Sequence, residues 1–429
     1  MSDAPAQRDE PHALRAVSLR RVIIAGIAGN AMEWYDFAVY GYFAPAIGAR
    51  FFPASTKTEQ LIAAFGVFAA GFLMRPLGAI VFGHIGDRIG RRAALTLSVT
   101  AMAVPTTLMG LLPDYQQIGL TASLLMVALR LLQGLSMGGE YTTSITFLVE
   151  SAPRQRRGWV GSWAPAGAGI GTLLGSAVAA SVNSVLPASA MAAWGWRIPF
   201  VFGLAVGLTG LYVRRRVAET LVAPAPAGQL PLLRAIRTHY GMMLRVFAMG
   251  LLLGVSFYMS FVFAVTYWQE VVHVRAGEAL DINTANMLVV LVTTLAAGWL
   301  SDRIGRRPLM IGAALGTVVL AYPLFWSMSR PDALSIGLGQ MGFALLLGAY
   351  VGPLPAVMTE AFPQQVRCSA ISVAYNLGQA VFGGTTPMVA TYLIVRSHDD
   401  LSPAFYVMAI AAVSLVGLIW KPETTDEHR

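Results

Sequence analysis

Two copies of one short polar segment organise this sequence. The first is Gly83–Arg92, with the sequence GHIGDRIGRR, and the second is Gly298–Arg307, with the sequence GWLSDRIGRR. The copies share the core DRIGRR, and long apolar runs flank both. We call each copy a hinge, because its glycines permit a tight turn between two helices while its arginines stay in water. Two hinges predict two copies of the structure around them.

A second pattern supports this duplication. The segment 150–157 begins ESAP and ends in Arg157, and it returns as the segment 360–367, which begins EAFP and ends in Arg367. The two hinges lie 215 positions apart (302 − 87), and the two acidic segments lie 210 apart (360 − 150). Such similar offsets predict a parallel internal repeat, in which two similar helical bundles enclose a central site.

The composition places the chain in a membrane. Of its 429 residues, 56% are hydrophobic and 12% are charged, and the mean hydropathy is +0.61, too apolar for a soluble globular protein. Apolar runs of about 20 residues can cross the hydrocarbon core of a bilayer. We therefore predict an all-α integral membrane protein with twelve transmembrane helices in two six-helix bundles. The predicted spans are 22–48, 61–86, 93–112, 118–149, 158–182, 195–213, 242–269, 284–301, 308–328, 334–359, 367–394 and 402–420.

The basic residues predict the orientation and the domains. If both termini lie on one side, that side collects 22 Lys and Arg residues and the other side collects 5, which predicts cytoplasmic termini. The net charge of +8 is then a topology signal, and we predict no nucleic-acid partner. The predicted domains are a cytoplasmic tail at 1–21, a bundle at 22–213, a cytoplasmic linker at 214–241, a bundle at 242–420 and a cytoplasmic tail at 421–429.

The first predicted span carries two acids. Glu33, Asp36 and Tyr40 are spaced i, i+3 and i+7, so two carboxyl groups and a phenol share one helix face. Acids this deep in a bilayer cost several kcal/mol unless they face a wet cavity or a partner. We expect Glu33 and Asp36 to take part in proton coupling and Tyr40 to contact a solute. The alternative is a packing ion pair, or an acid near the membrane surface.

Two arginines offer partners for these acids or for an anionic solute. Arg75 stands before Pro76 in the second span, where a proline tends to kink a helix, and a snorkelling arginine is the weaker interpretation. Arg130, Gln133 and Glu140 form a polar stripe on the fourth span. Burial disfavours an ionised carboxylate and a nearby arginine favours it, so Glu140 is a candidate proton carrier. A static Arg–Glu clamp is the alternative.

The second half contributes neutral groups. Asn376 and Gln379 are one turn apart in the eleventh span and can hydrogen-bond a solute, although either amide could instead bond a neighbouring helix. Tyr141 in the fourth span is a further candidate for solute contact. Cys368 is the only cysteine, which leaves no thiolate metal cluster, and we predict no metal and no cofactor. The sequence also offers no nucleophile with a base and no phosphate loop, so we predict that the protein is not an enzyme.

These motifs resemble those of a known superfamily. The hinges are similar to the signature loop of major facilitator superfamily transporters and its repeat, and Arg130, Gln133, Gly134 and Gly138 resemble that superfamily's fourth-span motif. Four further segments resemble the metabolite:proton symporter family, which includes proline/betaine, citrate, α-ketoglutarate and shikimate carriers. They are GNAMEWYDF at 29–37, RPLG at 75–78, QG at 133–134 with GGEY at 138–141, and WGWRIPF at 194–200.

The resemblance implies proton-coupled uptake across a bacterial inner membrane, by alternating access of a monomer. It further implies a cytoplasmic latch in which Asp87 and Arg91 meet the end of the fourth span at Glu150 and the start of the eleventh. Asp302 and Arg306 hold the same positions in the second hinge. We expect Arg75 or Arg130 to engage a substrate carboxylate.

The solute is left open by these observations. The osmoregulatory proline/betaine member has a long coiled-coil tail, whereas this chain ends nine residues after its last predicted span, which favours a small organic acid of the citrate, dicarboxylate or α-ketoglutarate type. Proton symport of a zwitterionic osmolyte such as proline or betaine is the alternative. A drug:proton antiporter and a non-transporting membrane sensor are weaker alternatives.

Overall fold

The computed structural model describes residues 19–88, 91–138, 140–216, 231–364 and 366–420, and the regular elements in these ranges are helical. In chain order the α-helices are α1 (Leu19–Tyr42), α2 (Ala44–Phe51), α3 (Lys57–Leu73), α4 (Arg75–Arg88), α5 (Arg91–Leu111), α6 (Tyr115–Ile118), α7 (Leu120–Ser136), α8 (Glu140–Glu150), α9 (Arg157–Gly161), α10 (Trp163–Val185), α11 (Ala188–Ala193), α12 (Ile198–Arg216), α13 (Pro231–Phe257), α14 (Ala264–Glu270), α15 (Ala276–Ile304), α16 (Arg306–Met328), α17 (Ala333–Val351), α18 (Leu354–Glu360), α19 (Arg367–Gly378), α20 (Thr386–Ser397) and α21 (Ser402–Ile419).

Eight helical stretches in the described ranges are long and apolar enough to cross a membrane. They are Lys57–Val81, Leu120–Glu150, Arg154–Val185, Ala235–Glu270, Ala276–Ile304, Arg306–Met328, Ala333–Glu360 and Ser402–Ile419. Two shorter apolar helices, Thr100–Leu111 and Gly195–Thr209, accompany them. A multi-pass helical membrane protein, as the hydropathy predicted, follows from these lengths.

Helix breaks position several of the polar residues. α3 ends at Leu73 and α4 begins at Arg75, and this break falls where Pro76 predicts one, because proline cannot donate a backbone hydrogen bond. Two π-helical segments follow α13 and α19, at Tyr258–Phe263 and Gln379–Gly383. Such segments are rare and are frequent at functional sites.

The two halves, 19–216 and 231–420, meet along α10 and α15. Near one end of this contact, a Cβ on Gly158 would lie 2.3 Å from the Ser301 hydroxyl and 2.6 Å from the Gly298 carbonyl oxygen, so only glycine fits. Near the other end, the Ser176 and Thr284 hydroxyls are 2.7 Å apart. We call the end near Gly158 the hinge end, because the second hinge lies there, and the end near Ser176 the opposite end.

Helical structure extends into the predicted linker 214–241 from both sides. α12 continues to Arg216 and α13 begins at Pro231, while residues 217–230 lie outside the described ranges. His239 interrupts α13 with φ −131° and ψ 24°, so a short helical segment precedes the long apolar part of this helix. The predicted domain limits, including the tails at 1–21 and 421–429, stay predictions.

Candidate functional site

Glu33 and Arg75 form a buried ion pair inside the first half. Glu33 lies in the middle of α1, and Arg75 opens α4 directly after the break before Pro76. The Arg75 Nη2 atom lies 3.7 Å from the Glu33 Oε1 atom, and the two residues are 0% and 4% exposed. The guanidinium nitrogens of Arg75 make no hydrogen bond to a described residue. Arg75 is therefore neutralised by an acid while its donors are still available to a ligand.

Little free space adjoins this pair. A cavity of about 10 Å³ touches Glu33 and is lined by residues of α1, α5 and α7 and by Met137. A space of this size holds one water molecule at most. The polar pair is therefore enclosed by the protein in this conformation.

Four aromatic residues from both halves contact one another beside the pair, and we call them the aromatic box: Trp34, Tyr141, Tyr258 and Tyr375. Trp34 and Tyr141 belong to the first half, and Tyr258 and Tyr375 to the second. Ring centroids are 6.0 Å apart for Trp34 and Tyr141, 6.1 Å for Trp34 and Tyr258, and 5.2 Å for Tyr141 and Tyr375. The Arg75 guanidinium carbon lies 5.3 Å from the Phe72 ring centroid, and the Phe72 and Tyr258 centroids are 5.2 Å apart, so the box adjoins the pair.

A second polar cluster holds Arg130. Its Nη1 atom donates to the Gln133 Oε1 atom at 2.8 Å, and the Gln133 Nε2 atom donates to the Thr106 hydroxyl at 2.6 Å. Asp36 lies beside Thr106 and is also close to Arg130. Asp36 thus belongs to a network of α1, α5 and α7 that is separate from the Glu33–Arg75 pair.

Aromatic rings also enclose Arg130. Its guanidinium carbon lies 3.8 Å from the ring centroid of Phe37, 4.5 Å from that of Tyr40 and 4.7 Å from that of Phe68. Tyr40 donates its hydroxyl hydrogen to the Ala64 carbonyl oxygen at 3.1 Å. Tyr40 and Gln133 are therefore engaged with the protein itself in this conformation. Arg130 is bonded through Nη1, while its Nε and Nη2 atoms have no hydrogen-bond partner among the described residues.

The two predicted amides of the second half bond neighbouring helices. Asn376 donates to the Gly138 carbonyl oxygen in the first half at 3.0 Å, and Gln379 donates to the Gly250 carbonyl oxygen at 3.0 Å. The Oε1 atom of Gln379 is buried and accepts no hydrogen bond from a described residue. Asn376 therefore joins the halves beside the aromatic box, and Gln379 holds α13 against the π-segment after α19.

The hinge end is closed by contacts between the halves. Both carboxylate oxygens of Asp302 accept hydrogen bonds from the first half, one from the Gly158 amide and one from the Trp159 amide, each at 2.8 Å. Arg306 donates to Glu360 at 3.1 Å and lies 3.5 Å from Asp302. The gating residues predicted in the second hinge thus lie at the junction.

Two ion pairs at the hinge end exchange partners between the repeated segments. Glu150 pairs with Arg367, and Glu360 pairs with Arg157 at 3.8 Å. Each acid of the repeat therefore meets the arginine of the other copy. The side chains of Asp87, Arg91 and Glu140 lie outside the described part of the structure, so their predicted roles stay predictions.

The opposite end is closed as well. Asn283 of α15 donates to the hydroxyls of Tyr42 at 3.0 Å and Ser176 at 3.2 Å, and both belong to the first half. Since both ends of the junction are bridged, the conformation is occluded.

Trp34, Tyr258 and Tyr375 are the site residues that the sequence analysis missed. All three are buried within the junction. Trp34 lies between the predicted acids Glu33 and Asp36, and this neighbourhood is the one signal that could have indicated it. Tyr258 and Tyr375 have no comparable signal in the sequence.

Two family models match the chain. Residues 22–223 match the model described as sugar (and other) transporter, and residues 246–429 match that of the major facilitator superfamily. Among solved structures, that of the D-xylose-proton symporter is similar with a TM-score of 0.75 at 19% identity, covering 95% of this chain and 98% of that one. The structure of the partially occluded inward-open xylose transporter of Escherichia coli is similar with a TM-score of 0.74 at 18% identity, covering 96% of this chain and 99% of that one. These two likenesses support the fold.

Curated relatives narrow the family. The chain is 35% identical over 427 residues to the glycine betaine/proline/ectoine/pipecolic acid transporter of Dickeya dadantii, and 34% identical over 423 residues to the proline/betaine transporter of Escherichia coli K12. Each alignment covers 95% of this chain and 84% of the relative. The chain therefore belongs to the major facilitator superfamily and, within it, to the metabolite:proton symporter family of the proline/betaine carriers.

Proposed function

We propose that this chain takes up a small zwitterion of the proline or betaine type together with a proton, by alternating access between its two halves. The observation that carries this proposal is the buried Glu33–Arg75 pair at the aromatic box. Arg75 offers a fixed positive charge to a solute carboxylate. Glu33 offers a carboxylate that can accept the proton.

The pair provides a route to coupling. In the empty site the Glu33 carboxylate balances Arg75. If a solute carboxylate entered while Glu33 stayed ionised, two negative charges would share one guanidinium in a buried site, at a large desolvation cost. Protonation of Glu33 removes this conflict, so one proton enters with each solute. When the solute leaves on the other side, Glu33 releases the proton and pairs with Arg75 again.

The relatives favour a zwitterion over the organic acid that the sequence analysis preferred. Betaine and proline each carry one carboxylate and one cationic nitrogen, and the two relatives are named for carrying them. One guanidinium beside one acid also suits a single carboxylate better than the three of citrate. The alternative solute of the sequence analysis is therefore our proposal here.

The other candidate residues keep subordinate roles in this proposal. Asp36 and Glu140 are candidates for further proton sites. Because Arg130 is enclosed by rings and bonded to Gln133, we assign the solute carboxylate to Arg75 and a positioning role to Arg130.

The proposed architecture follows the predicted one: twelve spans in two repeated six-helix bundles, a monomer in a bacterial inner membrane, and both termini in the cytoplasm. The arginine distribution supports the orientation, and the similarity to solved transporters along 95% of the chain supports the twelve spans. The hinge end then faces the cytoplasm, and Asp302, Arg306 and Glu150 are proposed gating residues.

The proposal is tested by uptake into proteoliposomes with the membrane potential clamped to zero. We expect labelled glycine betaine and proline, but not citrate, to accumulate when the outside is acidic. One proton per solute limits accumulation to about tenfold per pH unit, because one pH unit corresponds to about 1.36 kcal/mol.

The Glu33→Gln variant isolates the coupling step. Its neutral amide mimics the protonated acid, so we expect solute exchange without a gradient to persist and gradient-driven accumulation to disappear. Asp36→Asn is the matched comparison in the same helix. Wild-type uptake that ignores the pH gradient, or a Glu33→Gln variant that still accumulates solute, would contradict the coupling.

A further inference from the structure

The aromatic box is a chemically distinctive part of the junction. All four of its side chains are at most 5% exposed, and they come from α1, α8, α19 and the π-segment that begins at Tyr258. The planes of Trp34 and Tyr258 are inclined by 16° and those of Tyr141 and Tyr375 by 30°, so two pairs of rings are stacked. The Phe257 ring packs perpendicular to the Trp34 ring, with centroids 5.4 Å apart.

Two polar atoms of the box also lack a hydrogen-bond partner among the described residues. They are the Trp34 indole nitrogen and the Tyr258 hydroxyl oxygen, and both are buried. Buried polar groups are nearly always bonded, so orphaned groups at one site indicate a missing ligand or water. Rings with electron-rich faces and hydroxyl oxygens together present negative potential to that ligand.

We propose that the aromatic box binds the ammonium end of the solute, and that it prefers a fully N-methylated ammonium to the secondary ammonium of proline. This inference rests on the proposed function, in which Arg75 holds the carboxylate end. A quaternary ammonium has no N–H group and is stabilised by ring faces alone. A secondary ammonium has two N–H groups that need hydrogen-bond acceptors. The box offers the Tyr258 hydroxyl oxygen, but in the solute-bound state Glu33 is protonated and no longer offers a carboxylate.

The geometry also links the ammonium group to closure of the halves. The centroids of Trp34 and Tyr258 are 6.1 Å apart in the occluded conformation. A trimethylammonium group between these near-parallel faces needs a wider gap, because carbon atoms in contact stay about 3.5–4.0 Å apart on each side of it, so the rings must separate. Because Trp34 belongs to the first half and Tyr258 to the second, separation of the halves opens the box, and the bound cation then holds rings of both halves.

Ligand analogues test the inference on the wild-type chain in detergent micelles, by isothermal titration calorimetry. The probes are glycine betaine, proline and 3,3-dimethylbutanoate, which has the shape of betaine but a neutral carbon in place of nitrogen. We expect glycine betaine to bind about 10- to 30-fold more tightly than 3,3-dimethylbutanoate, the factor typical of a desolvated cation–π site. Equal affinities of these two ligands would overturn the proposal without any need for a variant.

Variants of the box then assign the effect to its rings. Trp34→Leu and Tyr258→Leu should remove most of the preference for betaine over 3,3-dimethylbutanoate, while Tyr258→Phe keeps the ring and should keep the preference. Tyr322→Leu, at a ring 39% exposed and packed on Phe405, is the matched control. Leucine variants that weaken betaine and proline by the same factor would contradict the proposed selectivity.

The outcome separates this inference from the proposed function. Selective binding of betaine with uptake that ignores the pH gradient would refute the proposed coupling and leave the box supported. Gradient-driven uptake with equal binding of betaine and 3,3-dimethylbutanoate would refute the box alone.

Discussion

Arg75 and Arg130 are two buried guanidinium groups in one half, balanced in different ways. Arg75 has an acid at 3.7 Å and no hydrogen bond to a described residue. Arg130 has three aromatic rings within 4.7 Å of its guanidinium carbon and a hydrogen bond to Gln133. Rings stabilise a cation without supplying negative charge. Arg130 can therefore stay charged through a transport cycle, whereas Arg75 changes its partner in the cycle that we propose.

Neutralising the Glu33–Arg75 pair tests that difference at the level of single residues. Removing one partner of a buried pair typically costs about 3–5 kcal/mol, because the other charge is left uncompensated. We expect Arg75→Gln to lower the melting temperature of the purified chain and the double variant Glu33→Gln/Arg75→Gln to recover most of it. Neither should bind glycine betaine. A double variant no more stable than Arg75→Gln, or one that binds betaine normally, would contradict the assigned roles.

The sequence predicted the charged members of the site better than its aromatic members. Glu33 and Arg75 were identifiable because an ionised group inside an apolar span needs a partner. Trp34, Tyr258 and Tyr375 were not, because an aromatic residue in a span is equally at home in a core or against lipid. Their convergence from separate helices depends on packing, which spacing along the chain does not encode.

At the scale of elements, the breaks in the helices were only partly predictable. Pro76 predicted the break at Met74, because proline removes one backbone N–H donor from the helical hydrogen-bond pattern. The π-segments at Tyr258–Phe263 and Gln379–Gly383 contain no proline. Gln379 in the second segment donates to the Gly250 carbonyl oxygen of α13, a tertiary contact that the local sequence does not encode. Consequently the predicted spans match helices whose internal irregularities the sequence did not indicate.

The contact of α9 and α10 with α15 makes a prediction about closure. A Cβ on Gly158 would lie 2.3 Å from the Ser301 hydroxyl, so Gly158→Ala should prevent the hinge end from closing. Overpacking costs about 1–3 kcal/mol, and we expect the maximal uptake rate to fall on the order of tenfold. Gly169→Ala is the matched control, because a Cβ there meets no atom within 4 Å. Uptake by Gly158→Ala within twofold of the control would contradict this role.

At the scale of the whole molecule, the junction between the halves is closed at both ends. Asp302 holds the first half through two amide hydrogen bonds, and Asn283 holds it at the other end of the same helix, α15. Alternating access requires one set of these contacts to break while the other persists. The hinge-end contacts involve charge and the opposite-end contacts are neutral, so salt acts chiefly on the hinge end.

The ion pairs between the two repeated segments at the hinge end allow a charge-reversal test of this closure. Arg367→Glu places two acids opposite each other beside Glu150, and partly exposed pairs contribute about 0.2–1 kcal/mol, so we expect a few-fold loss of uptake. The reversed pair Glu150→Arg/Arg367→Glu should restore it. Arg275→Glu, at an 89% exposed side chain outside the junction, should have little effect. Failure of the reversed pair to recover uptake would show that the residues act separately.

The exchange of partners between Glu150, Arg157, Glu360 and Arg367 has a historical consequence. Two identical units related by a twofold axis would form the same two contacts, each acid meeting the base of its twin. When two such units are joined in one polypeptide, a substitution in one unit is no longer repeated in the other, so the two sequences can diverge. At the central site the buried Glu33–Arg75 pair belongs to the first unit and the amides Asn376 and Gln379 to the second, which is the kind of divergence that such a fusion permits.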